Sequence, residues 1–272
     1  MKILHFNYSD LLGGASVATM RLHQALKKYH KVNSLVKVNE KLRNLDHILG
    51  PKNSLDISLE ILKKRFSFQF KKFSKISSPA THSVALIPSS TKKIIKKIDP
   101  DIVHLHWVNN EMMSIKEIGN IQKPLIWTFV DMWPVCGAEH YTFDENFLDG
   151  YASNTPNGNQ RFDLNRWVWK RKKKHWVKKF KIVCISSWFS NLVKKSLLFK
   201  DFDVITIPLC IDCDEWRPLD KQASRKMLQI DNTSPVLLFS AANGTKDPRK
   251  GFDYLTKILE DPFYKKSNCK LI

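Results

Sequence analysis

The sequence has no window of about 18 apolar residues free of charge, so no transmembrane helix is expected. Its opening, Met1-Lys2-Ile3-Leu4-His5-Phe6, is too short and too polar for a secretory h-region, and a cytoplasmic protein is expected. Glycine (9) and proline (12) are scarce beside 43% hydrophobic and 26% charged residues, which excludes a disordered or collagen-like chain. Only five cysteines occur, at 136, 184, 210, 213 and 269. Cys210 and Cys213 have C-x-x-C spacing, but no second pair completes a zinc site, so all five read as buried or semi-exposed thiols.

Acidic residues are also few. Against 26 Asp and Glu stand 45 Lys and Arg, a formal charge of +19, clustered at Lys63-Lys64-Arg65, Lys71-Lys72, Lys92-Lys93, Lys96-Lys97, Lys170 to Lys174 and Lys178-Lys179. Such a surface suits anionic partners: nucleic acid, anionic lipid or nucleotide diphosphates. Nucleic acid is the least favoured, because no helix-turn-helix, zinc-finger spacing or RNP-like aromatic motif is found. Around the run at 170–179, Trp167, Trp169, His175 and Trp176 interleave with the basic residues. That pattern fits aromatic anchors at a lipid interface, and equally the buried stripe of an ordinary helix. Leu55 to Phe73 reads as a basic amphipathic segment with a mobile or membrane-facing tip.

Short apolar runs alternate with helical periods. Lys2 to Asn7, Val32 to Val38, Ile102 to Trp107, Pro124 to Phe129, Lys181 to Ser186 and Val204 to Pro208 read as strands, while Ala15 to Lys28 and Ser89 to Ile98 read as helices. The alternation predicts an α/β fold with a parallel sheet covered on both faces. At 272 residues the chain exceeds one ordinary domain and is short for two complete doubly wound ones. Residues 1–210 are expected to form one Rossmann-like domain and 211–235 a linker. Val236 to Ala241 is expected to be the first strand of a second, incomplete domain over 236–272.

In open parallel sheets ligands sit beyond the carboxyl ends of the strands. After the first strand comes Gly13-Gly14, whose backbone suits an anion at a helix start. Later strands are followed by His106-Trp107 and by Asp131-Met132-Trp133-Pro134. Tryptophan faces can stack on sugar rings while His and Asp bond hydroxyls.

The ordered set raises the case: Gly13-Gly14-Ala15, Pro100 to Trp107, Trp127 to Pro134, Arg161-Phe162-Asp163 leading to Trp169 to Lys172, Ile207-Pro208 to Leu219, and Asp247-Pro248-Arg249-Lys250-Gly251 before a helix. It resembles the retaining GT-B glycosyltransferases, family 4-like, of bacterial polysaccharide clusters of the colanic-acid kind. The resemblance implies transfer of a sugar from a nucleotide-diphospho-sugar to a saccharide or lipid-linked acceptor in cell-surface polysaccharide synthesis. The enzyme would sit in the cytoplasm or peripherally on the inner membrane face, with no cofactor and no essential metal. It implies that Arg249 and Lys250 offset the diphosphate charge, that Gly13 and Gly14 face it from the other domain, and that Gly244 allows close backbone approach. It also makes Asp131 the catalytic candidate and gives His106, Trp107 and Trp133 the acceptor or sugar contacts.

Two departures stand out. Val130 occupies the place where many relatives carry a donor-contacting histidine, and the chain stops at Ile272, before the family's paired glutamates. A truncated chain is therefore expected, with weak donor binding. The alternatives to an active transferase are an inactive or partner-dependent remnant and, more remotely, a basic nucleic-acid-binding protein.

Overall fold

Runs of apolar residues too short for helices, buried on both faces, build the first sheet. The computed structural model describes residues 1–51, 53–73, 80–152, 162–231, 233–241, 244–245, 247–262, 264 and 269–272, with the side chains of 70–73 left aside. The chain divides into two compact units, Met1–Ile211 and Asp212–Ile272. The first contains β1 (Lys2–Phe6), α1 (Gly14–His30), β2 (Asn33–Lys37), β3 (Ile48–Leu49), α2 (Ser54–Phe73), α3 (Thr91–Ile98) and β4 (Ile102–Leu105). It continues with α4 (Ile115–Gly119), β5 (Leu125–Phe129), α5 (Leu164–His175), β6 (Lys181–Cys184), α6 (Ser187–Lys195) and β7 (Asp203–Thr206). Seven strands, all parallel, lie in the order β3-β2-β1-β4-β5-β6-β7. The order reverses between β1 and β4, the switch point at which sheets of this class bind ligands.

Alternation along the strands gives the sheet two unlike faces. Leu4, Phe6, Val103, Leu105, Trp127 and Phe129 enter a large apolar cluster with Trp133, Trp176 and Phe199. On the other face Val36 packs with Met20 of α1, and His5 and His104 stand opposite each other in register. The tryptophans around the basic run belong to the first face: Trp169 and Trp176 are buried in the core and Trp167 packs against it. Of the two readings of that segment, the buried stripe of a helix is the one realised. The basic segment over Leu55 to Phe73 is helix α2, the side chains of 70–73 are not described, and Arg161 lies outside the described residues.

Helix α4 is held by a capping box that the sequence reading passed over. The Ser114 hydroxyl accepts from the Glu117 amide while the Glu117 carboxylate accepts from the Ser114 amide and hydroxyl. The box seats buried Ile115 and Ile118. Ser114→Ala is expected to destabilise the unit by about 1 kcal/mol in urea unfolding.

The second unit holds α7 (Lys221–Met227), β8 (Val236–Leu237), a 3-10 turn at Pro248–Lys250, α8 (Phe252–Glu260) and β9 (Lys270–Leu271). β8 pairs in parallel with β9, and the Phe239 amide extends the ladder to Ile272 O. The strand foreseen over Val236 to Ala241 is thus regular only at its first two residues.

Candidate functional site

The carboxyl ends of β1, β4 and β5 are joined by hydrogen bonds. Beyond β1, the buried Asn7 side chain receives the Trp107 amide on Oδ1 and donates through Nδ2 to Ser9 O and Ser16 Oγ. The Tyr8 amide donates to Trp107 O at 2.8 Å. Ser9 Oγ and the Asp10 carboxylate hold the next turns, Asp10 accepting from the Leu42 and Arg43 amides. Gly13 has φ of +83°, a conformation that L side chains rarely adopt, and a Cβ at Gly13 or Gly14 would meet nothing within 4 Å. The 17-residue α1 starts here with no side-chain cap and no acidic residue in its first turn. Its first amides and its dipole therefore favour an anion.

Beyond β5, Asp131 is the hub. Its Oδ2 accepts from Trp107 Nε1 at 2.7 Å and lies 2.6 Å from His140 Nδ1, while Oδ1 accepts from the Trp133 amide at 3.1 Å. The far nitrogen of His140, Nε2, lies 2.8 Å from Ser83 Oγ. The arrangement is a relay of carboxylate, imidazole and hydroxyl beside an indole. The Asp131 side chain keeps 23% exposure, and Trp107 is half-buried. Trp133 is 0% exposed, with Nε1 donating to Ser83 O. It supports the hub from within and presents no face to a ligand.

Beneath the hub lies Lys172, also fully buried. Its Nζ donates to the carbonyl oxygens of Trp133, Cys136 and Gly137 and sits 3.9 Å over the Trp133 ring. Burial pushes its pKa well down, against the pull of Asp131 and Glu139. Burial likewise pushes the Cys136 thiol well above its ordinary range, so that cysteine is inert core.

The sequence-predicted residues fall into three groups. Trp107, Asp131 and Trp133 are brought together, and Gly13 and Gly14 lie at the neighbouring strand end. His106 turns inward: it is buried, and its Nε2 lies 3.0 Å from His5 Nδ1. In the second unit, Gly244 is required by packing, since a Cβ would come within 2.8 Å of the Phe239 ring. Arg249 donates from Nε and Nη2 to the two oxygens of Asp247, at 2.9 and 2.6 Å. Lys250 follows it in the same turn, closed by Gly251 at φ of +75°. The sequence reading missed His140, Ser83 and Lys172. Lys172 carried a usable signal, because its spacing from Trp169 and Trp176 puts it on the buried stripe of α5.

No protein-family model matches the chain, and no curated protein matches it. Solved structures do. A glycosyltransferase from Rickettsia africae ESF-5 superposes over 100% of the chain at a TM-score of 0.52 and 12% identity. A sucrose-phosphate synthase from Thermosynechococcus elongatus does so over 100% at 0.50 and 10% identity. WaaG, a glycosyltransferase involved in lipopolysaccharide biosynthesis, matches 99% at 0.53 and 13% identity. The chain spans 67%, 70% and 62% of those proteins respectively. The order of the seven strands and these likenesses together show that the chain has the Rossmann-like α/β fold of the GT-B glycosyltransferases.

Proposed function

We propose that the chain is a glycosyltransferase acting with a nucleotide-diphospho-sugar donor and a saccharide or lipid-linked saccharide acceptor. The observation that carries this is the Trp107–Asp131–His140–Ser83 relay, set at the switch point of a GT-B-like sheet next to the uncapped start of α1. An indole edge, a partly exposed carboxylate and an imidazole suit sugar hydroxyls, and a helix start without a side-chain cap suits phosphate. WaaG is involved in lipopolysaccharide biosynthesis, which favours a cell-surface polysaccharide as the product.

In the proposed reaction the bond from the donor anomeric carbon to the diphosphate oxygen breaks, and the acceptor oxygen bonds to that carbon with retention. The acceptor proton leaves on the departing diphosphate. No metal is invoked, so protein cations must offset the growing phosphate charge. Arg249, a planar guanidinium suited to phosphate, and Lys250 are assigned that role. Asp131 is assigned to hold the sugar or acceptor hydroxyls through the relay. Calorimetric titration with uridine and guanosine diphosphates, alongside Arg249→Ala and Lys250→Ala, tests the reading.

A peripheral membrane position is part of the proposal, and α2 supports it. Among the described residues no helix is long and apolar enough to cross a membrane. Yet α2 is fastened by its polar side: Glu60 accepts from Asn39, Ser67 donates to Glu111, and Lys64 lies over the Tyr8 ring. Its apolar stripe, Leu55, Leu59, Leu62 and Phe66, is exposed, with Lys63 and Arg65 between. Such a helix suits the interface of an anionic bilayer. In flotation, the chain is expected to rise with vesicles rich in phosphatidylglycerol and not with neutral ones. Leu59→Glu with Leu62→Glu should abolish that. Equal behaviour with both vesicle types would show a merely solvated face.

A further inference from the structure

Five of the nine histidines, His5, His23, His47, His104 and His106, meet on the α1 side of the sheet, where the other strands bury apolar residues. Three of them form a compact set. His5 on β1 is the register partner of His104 on β4, and His106 is two residues further on, hence on the same face. His-x-His on one strand with a third histidine directly opposite places three imidazoles side by side, their planes 26–36° apart. One ligand nitrogen from each lies within 4.8 Å of the others. His5 Nδ1 and His106 Nε2 are 3.0 Å apart, against about 3.3 Å between nitrogens of a tetrahedral zinc site with bonds near 2.0–2.1 Å. Ring centroids are separated by 5.1, 5.3 and 4.2 Å.

The surroundings fit a metal better than a packed core. His104 Nε2 lies 2.8 Å from Thr128 Oγ1, an outer contact of the kind that orients a metal-bound imidazole. His23 Nε2, beside the set, is buried with no hydrogen-bond partner among the described residues. Unpaired buried polar atoms are rare in folded proteins and call for a partner. The set has no carboxylate, so it suits Zn²⁺, Ni²⁺ or Cu²⁺ rather than Mg²⁺ or Ca²⁺.

We propose that His5, His104 and His106 form a structural site for a transition-metal ion of the zinc class, clamping β1 to β4 beneath the switch point. His23, whose Nδ1 lies 2.7 Å from Ser34 Oγ, packs edge-on against His5 with ring centroids 6.2 Å apart and stands outside the three-ligand set. The ion takes no part in sugar transfer, and the inference stands or falls independently of the proposed function. Because α1 covers the cluster, loading accompanies folding, and chelators should strip the folded protein slowly.

The test uses the untagged chain, unfolded in denaturant with chelator, then refolded with Zn²⁺, with Co²⁺, or with Mg²⁺ alone. About one tightly held Zn²⁺ or Co²⁺ per chain is expected, with a higher thermal midpoint than after Mg²⁺ and the visible absorption of tetrahedral Co²⁺ coordinated by nitrogen. His104→Gln and His106→Gln should each lose the absorption. Should both fail to fold, the cobalt spectrum and metal content of the unaltered chain still decide. Refolding to the same midpoint in all three ions, with no metal retained after desalting, would overturn the proposal.

Discussion

Lys172→Ala is expected to destabilise the first unit by about 3–5 kcal/mol, the largest loss among single substitutions outside the sheet. Three carbonyl oxygens of one turn, from Trp133, Cys136 and Gly137, converge on its Nζ, and no carboxylate shares the pocket by hydrogen bond or ion pair among the described contacts. Truncation removes all three donors and leaves a void against the Trp133 ring. Lys172→Met restores most of the volume without the donors. It should recover only the part of the loss that comes from the cavity, so the pair separates packing from hydrogen bonding in urea melts. Charge adds a pH signature. Burial holds the Lys172 pKa well below the ordinary 10.5, so the unfolded chain binds the extra proton. Stability must therefore rise with pH between the lowered folded value and 10.5, and fall as pH drops through that window. In Lys172→Met that component should vanish. Unfolding curves of wild type and Lys172→Met with the same pH slope above neutrality would contradict this placement. Function should follow stability only in part, because the turn held by Lys172 also carries the backbone from Asp131 to His140.

The strands were legible because both faces of a parallel sheet are covered, which makes runs such as Ile102-Val103-His104-Leu105 and Leu125-Ile126-Trp127-Thr128-Phe129 stand out from helical periods. β3, at two residues, is shorter than any pattern can reveal, and it exists only because β2 offers it an edge. Helix α4 is similarly brief, yet Ser114-Ile115-Lys116-Glu117 is a capping-box signature that could have marked it. At the site, local sequence named Asp131 and Trp107, since each follows a strand. It could not name Ser83 or His140, because their meeting depends on a loop contact 57 residues long in sequence. Nor could it tell that His106 faces the sheet interior and not the ligand side. The rule that strand ends carry chemistry does not say which of two successive residues turns outward.

The reading of the second unit rests on Arg249 and Lys250, and there the expected effects are sharp. With two cations in one turn and no further recognition assumed, a nucleoside diphosphate should bind at about millimolar strength, near 4 kcal/mol. Arg249→Ala removes charge-assisted hydrogen bonds worth about 1.5–3 kcal/mol, a loss of about 10- to 100-fold. Lys250→Ala, removing a point charge, should weaken binding less. Asp247→Asn should tighten it, because the carboxylate now holding the guanidinium from 2.6 and 2.9 Å competes with phosphate for the same donors. Calorimetric titration of the four proteins with uridine diphosphate at low salt is the decisive measurement. Affinity in the order Asp247→Asn, wild type, Lys250→Ala, Arg249→Ala is the expected result. Identical affinities in all four, or no binding to any, would contradict the assignment of this turn to the donor diphosphate and with it the glycosyltransferase reading.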